Sequence, residues 1–133
     1  MEFWEHGSFE ITIQENILIL DAEGPFNSEL ITRYYNELKT RAVAFNDEPW
    51  AHVAILRGLC SFTPDVFSLL PEVLDWKKSN LMVSEAVCFM DAEGASLTKQ
   101  QIADSYGSAG IENRTFENLD DAITWSKQNL LNQ

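Results

Sequence analysis

Three uninterrupted apolar runs constrain this chain more than any other feature: Ile17–Leu20, Val53–Leu56 and Ala86–Met90. A strand that alternates apolar and polar residues can leave one face in water. A run without alternation needs cover on both faces, the situation of strands inside a parallel sheet flanked by helices. The segments between the runs carry helical spacing. Ile31, Tyr34, Tyr35, Leu38, Ala42 and Phe45 follow a cap at Asn27 or Ser28, and Val66, Phe67, Leu69, Leu70, Val73, Leu74 and Trp76 follow Thr63-Pro64-Asp65. Ahead of the first run, Phe9, Ile11 and Ile13 alternate with Glu10, Thr12 and Gln14, and Glu15-Asn16 makes a turn. That pattern predicts an antiparallel hairpin over 8–20. Strands are expected near 52–57, 86–90 and 114–116. A helix is expected from about Thr98 to Tyr106, and a last one capped by Asn118, burying Leu119, Ala122, Ile123 and Leu130. The order β-β-α-β-α-β-α-β-α implies one α/β domain over 1–133, parallel after the hairpin, with right-handed crossovers.

The start of the second helix holds two details. Thr63 is placed to cap it and Pro64 to occupy its first position. Pro71 falls inside the same pattern and predicts a kink or a split into two pieces, since proline lacks the amide that a helix interior needs.

Length and composition exclude several classes. At 133 residues the chain can bury about two-thirds of its unfolded surface without staples. The net charge of −12, from 21 acidic and 9 basic residues, repels nucleic-acid phosphates, so no nucleic-acid partner is expected. The same charge disfavours docking on anionic lipid, although peripheral membrane contact stays open where basic residues gather at one edge. Two cysteines, Cys60 and Cys88, make no disulfide framework and read as reduced thiols. The start, Met1-Glu2-Phe3-Trp4-Glu5-His6-Gly7, has neither a basic nor an apolar leader region, and no apolar stretch is long enough to span a bilayer. The expected location is the cytoplasm.

Taken together, Ile17-Leu18-Ile19-Leu20-Asp21-Ala22-Glu23-Gly24, the helix from Ser28, Val53-Ala54-Ile55-Leu56-Arg57-Gly58 leading to Phe62-Thr63-Pro64, and Thr115-Phe116-Glu117-Asn118 before Ala122-Ile123-Thr124-Trp125 resemble the SpoIIAA-like family, related to the STAS domains of anti-sigma-factor antagonists. The resemblance runs across nearly the whole chain through the order and spacing of weak motifs. It implies non-enzymatic binding of a protein partner. It also implies a phosphoacceptor serine or threonine at the helix start, where this chain offers Ser61 or Thr63. The family's switch carries an acidic residue before a serine pair and a glycine after it, whereas this chain has Leu59-Cys60-Ser61-Phe62. The fold also looks like that of CRAL-TRIO domains, which hold lipids in an apolar cleft.

Two regions stand as candidate sites. The first is the element 57–79, where Phe62, Phe67, Leu70, Leu74 and Trp76 form an apolar set on a helix interrupted by Pro71. Such an element is expected to be mobile and to bind a protein partner or a small apolar, lipid-like molecule. The second is the pair of acidic turns Asp21/Glu23 and Asp91/Glu93, whose carboxylates could hold Mg²⁺ or serve a carboxylate-dependent enzyme. His6 and His52 have no second ligand at metal spacing, and Cys60 has no base beside it. No metal and no cofactor are therefore expected.

Overall fold

Residues 7–133 are described in a computed structural model of the protein, and Met1 to His6, with the expectations placed on them, lie outside it. The hairpin forms as its alternation requires. Strand β1 (Ser8–Gln14) pairs antiparallel with β2 (Ile17–Glu23), from Gln14 opposite Ile17 to Ser8 opposite Glu23. Glu15 takes φ 55°, the positive angle that a two-residue hairpin turn demands at its first position. In this register the N–H and C=O groups of Gln14 and Thr12 face β2, while those of Ile13 and Ile11 face the open edge. Arg41 donates to the Ile11 carbonyl there at 2.9 Å.

Strands β3 (Trp50–Leu59), β4 (Met82–Glu93) and β5 (Asn113–Phe116) continue the sheet in parallel, in the order β1-β2-β3-β4-β5. Both central strands outrun the apolar runs that predicted them. β3 begins at Trp50, and β4 takes in Ser84, Glu85 and the acidic residues Asp91 and Glu93. Polar residues mark edges only when they face water, and Glu85 does not. At the carboxyl edge the β3–β4 register slips between Leu56 and Gly58, with Gly58 at φ 69° and Asp91 at φ 51°. Gly24 lies so close to the Leu59 carbonyl that a Cβ there would overlap it.

The helices are α1 (Ser28–Arg41), α2 (Val66–Ser79), α3 (Ala95–Ser108) and α4 (Leu119–Leu131). Asn27 caps α1 by accepting from the Leu30 amide at 2.9 Å, and Asn118 caps α4 by accepting from Asp121 at 2.9 Å. Each such cap contributes about 1 kcal/mol. At α2 two expectations need correction. Thr63 is not its cap: the Thr63 hydroxyl donates to the Asp65 carboxylate, and the helix begins at Val66. Pro71 does not split it, for α2 runs unbroken over 14 residues with Pro71 on its exposed side. Proline's missing amide leaves the Phe67 carbonyl without its helical donor. Helix α3 starts at Ala95, ahead of the expected Thr98, because its buried row is only Thr98, Ile102 and Tyr106.

Parallel strands in sequence order, joined by crossovers of one hand, put every connecting helix on one face. The core divides accordingly. Leu30, Tyr34 and Leu38 of α1, Val73 and Leu74 of α2, and Ile102 and Tyr106 of α3 pack with Leu18, Leu20, Ala54, Leu56 and Val87. On the other face, among the described residues, α4 lays Ala122, Leu119 and Ile123 on Ile17, Ala51, Val53, Ile55, Ala86 and Cys88.

Candidate functional site

Beneath α1, α2 and α3 the core is not wholly apolar. The β3–β4 register sets His52 opposite Glu85, with both side chains on the three-helix face. Helix α2 lowers Lys77 onto the same spot, one turn beyond Val73 and Leu74 on its buried row. Lys77 Nζ lies 2.9 Å from Glu85 Oε1, and both side chains are 2% exposed. The same ammonium donates to the Tyr106 hydroxyl at 3.4 Å and sits 5.3 Å from the centre of the Tyr34 ring. Tyr34 and His52 Nε2 are 2.6 Å apart.

The protonation states follow from the surroundings. Burial, and then the Glu85 charge, push the Tyr34 and Tyr106 hydroxyls well above the usual tyrosine range, so both stay protonated. Burial, and then the Lys77 charge, hold His52 well below the usual histidine range, so its ring is neutral. The Glu85 carboxylate beside Nδ1 favours the tautomer with its hydrogen on Nδ1, and in that tautomer Tyr34 donates to Nε2. Nδ1 lies 3.4 Å from Glu85 Oε2 but makes no hydrogen bond among the described residues. The site is a paired ammonium and carboxylate flanked by two phenols and a neutral imidazole. Removing such ions from water costs several kcal/mol each, which their mutual attraction offsets only in good geometry.

A cavity of about 70 Å³ opens against this group. Its walls are apolar, among them Phe26, Phe62, Leu70, Leu74 and Val87, while Lys77, Glu85, Tyr34 and Tyr106 supply its polar end. A more open groove of about 420 Å³ adjoins it between α2 and α3, sharing Leu70, Leu74 and Ser105. The five apolar residues singled out in the sequence are thus dispersed. Phe62 lines the cavity, Phe67 lines the groove, and Leu70 and Leu74 line both. Trp76 turns to Tyr35 and Trp50, at 6.2 and 6.4 Å between ring centres.

His52 lies within β3 and is fully buried. Lys77 and Glu85 escaped the sequence reading altogether. The available signal was a lysine at buried helical spacing from Val73 and Leu74, and a glutamate directly before Ala86–Met90.

The remaining candidates sit at the carboxyl edge. Ser61 is exposed and Thr63 half-buried. The Ser61 carbonyl accepts from the Phe26 amide, and the Thr63 amide donates to the Phe26 carbonyl, each at 3.0 Å. The two acidic turns belong to strands separated by β3, which contributes a cation between them. Arg57 grips Asp21 at 2.8 and 3.2 Å, and the charges of Asp91 and Glu23 further raise its affinity for the proton. Cys60 and Cys88 are free and buried. Burial raises the Cys60 thiol and pushes Cys88 up to about 11.

No protein-family model matches the chain, and no curated protein matches it. Solved structures do. A protein of the DUF3478 family with a SpoIIAA-like fold, from Shewanella loihica PV-4, aligns with a TM-score of 0.61 and 15% identity, over 90% of this chain and 93% of its own. An anti-sigma factor antagonist from Mycobacterium paratuberculosis aligns with a TM-score of 0.53 and 15% identity, over 91% and 94%. These likenesses give the chain a SpoIIAA/STAS-like fold. Among the described residues no helix is long and apolar enough to cross a membrane.

Proposed function

We propose that the protein is a non-enzymatic binding module that takes a small apolar molecule into the cavity beneath α1, α2 and α3. The observation that carries this is the cavity itself, apolar on its walls and closed at one end by buried Lys77 and Glu85. Ligand sites commonly combine apolar walls with a few fixed polar groups. Helix α2 forms the movable wall. Pro71 deprives it of an internal hydrogen bond, and it is held to the sheet by the apolar contacts of Val73 and Leu74 and by the Lys77–Glu85 pair. Toluene is a sufficient probe. NMR signals of Leu70, Leu74 and Val87 are expected to shift first, and the melting temperature to rise with toluene concentration. Leu74→Trp, which fills the space, is expected to abolish both responses. Shifts scattered over the surface, or undiminished in Leu74→Trp, would overturn the reading.

A second reading is a protein partner engaged at the carboxyl edge, favoured by the fold shared with an anti-sigma factor antagonist. In that reading Ser61 or Thr63 accepts the controlling phosphate. Exposed Ser61 has the access this needs, whereas the Thr63 hydroxyl is already bound to Asp65. Phosphosite mapping of the protein from its own cells separates the two readings. Stoichiometric phosphate on Ser61 supports the switch, and none on either residue removes it.

A further inference from the structure

From the charges at the polar end of the cavity, we infer that the ligand's head is a neutral group that both donates and accepts a hydrogen bond, a hydroxyl above all, and not a carboxylate or an amine. The inference rests on the proposed ligand-binding role and specifies its chemistry. Lys77 and Glu85 line the cavity as a contact pair at 2.9 Å, and neither charge is left over to balance an incoming ion. A carboxylate reaching Lys77 comes within a few ångströms of Glu85, and an ammonium reaching Glu85 meets Lys77 in the same way. Like charges brought together in a dry site are strongly unfavourable.

A hydroxyl meets neither obstacle. Lys77 has three N–H donors, and among the described residues Glu85 and Tyr106 supply oxygen acceptors for two. The third is available to a ligand oxygen. A carboxylate offers about four lone-pair sites, and among the described residues Glu85 is approached by Lys77, by the Tyr106 hydroxyl and by the poorly aligned Nδ1 of His52 at 3.4 Å, which leaves room for a ligand O–H. His52 cannot relieve a second anion by taking up a proton, because burial and Lys77 keep it neutral. The alkyl part of the ligand would lie against Phe62, Leu70 and Leu74 and extend toward the groove between α2 and α3.

The test is an NMR titration of the full chain with three molecules of equal chain length: 1-octanol, octanoate and octylammonium. Binding is read from the Leu74, Val87 and Tyr106 signals. 1-Octanol is expected to bind about tenfold or more tightly than either ion, the discrimination that a misplaced charge at an interface commands. In Glu85→Gln the order is expected to change in favour of octanoate, and in Lys77→Met in favour of octylammonium. The wild-type comparison decides the matter even where a variant does not fold. Octanoate or octylammonium binding as tightly as 1-octanol overturns the head-group inference and leaves the cavity reading intact. No response at these residues to any of the three overturns both.

Discussion

On the α4 face the strands present Ile17, Ala51, Val53, Ile55, Ala86 and Cys88, and a single helix closes over them through Ala122. On the opposite face the same β3 and β4 present His52, Ala54, Leu56, Glu85 and Val87, and three helices leave a cavity above them. The difference shows a division of labour in one sheet. Small side chains such as Ala51, Ala86 and Ala122 let α4 lie directly on its face of the sheet. The other face carries the larger apolar core and, within it, a buried ion pair, which contributes weakly to stability and which the proposed function assigns to recognition.

The largest effect that could break this comparison is loss of the ion pair. Glu85→Leu leaves Lys77 charged and unpaired and is expected to cost about 3–5 kcal/mol in urea unfolding. The double change Lys77→Met with Glu85→Leu is expected to recover most of that. A double variant as unstable as the single one would mean the pair does stabilise the fold, and the contrast between faces would collapse.

Overpacking comes next. Ala122→Leu adds volume where there is none to spare and is expected to cost about 1–3 kcal/mol. Leu70→Phe, on the cavity wall, is expected to stay within about 0.5 kcal/mol of wild type. Equal penalties at both sites would show the two faces to be equally full.

The pH dependence sharpens the same point. Unfolded histidine titrates near about 6.5, while folded His52 titrates well below its usual range. Below that pH the unfolded chain binds the extra proton, so the stability present above it is lost as pH falls. The slope from this one group reaches about 1.4 kcal/mol per pH unit. His52→Gln is expected to flatten the fall between pH 6.5 and 5 in unfolding experiments, and identical slopes in the two proteins would contradict the assignment.

The smallest effect is dynamic. Amide exchange is expected to be faster across 66–79 than across α1 or α4, because α2 contains Pro71 and borders the cavity. Equal protection in all three helices would make α2 an ordinary core element.

Much of the architecture is legible in the sequence. The alternation over 8–14, the apolar runs and the caps Asn27 and Asn118 act locally, so periodicity and turn chemistry reveal them. The wall residues Phe62, Leu70 and Leu74 are legible for the same reason. The polar end of the cavity is not. His52, Lys77, Glu85 and Tyr106 meet only because β3 and β4 pair in one register and two helices fold over them. Each residue taken alone reads as a surface group, and a lysine 2% exposed contradicts the usual fate of its type. The unbroken α2 teaches a related lesson, since tertiary packing of Val73, Leu74 and Lys77 carries the helix through a proline that local propensity opposes.

The guanidinium of Arg41 on the Ile11 carbonyl has a consequence beyond α1 and β1. As the first strand of the sheet, β1 exposes a row of backbone groups to which a stray extended chain could add, the route by which sheets polymerise. Arg41 occupies an acceptor near the middle of that row with a charged, hydrated group. An incoming strand would have to dislodge the guanidinium from that carbonyl. A side chain that contributes little to holding the monomer together thus discourages the sheet from growing into the next molecule.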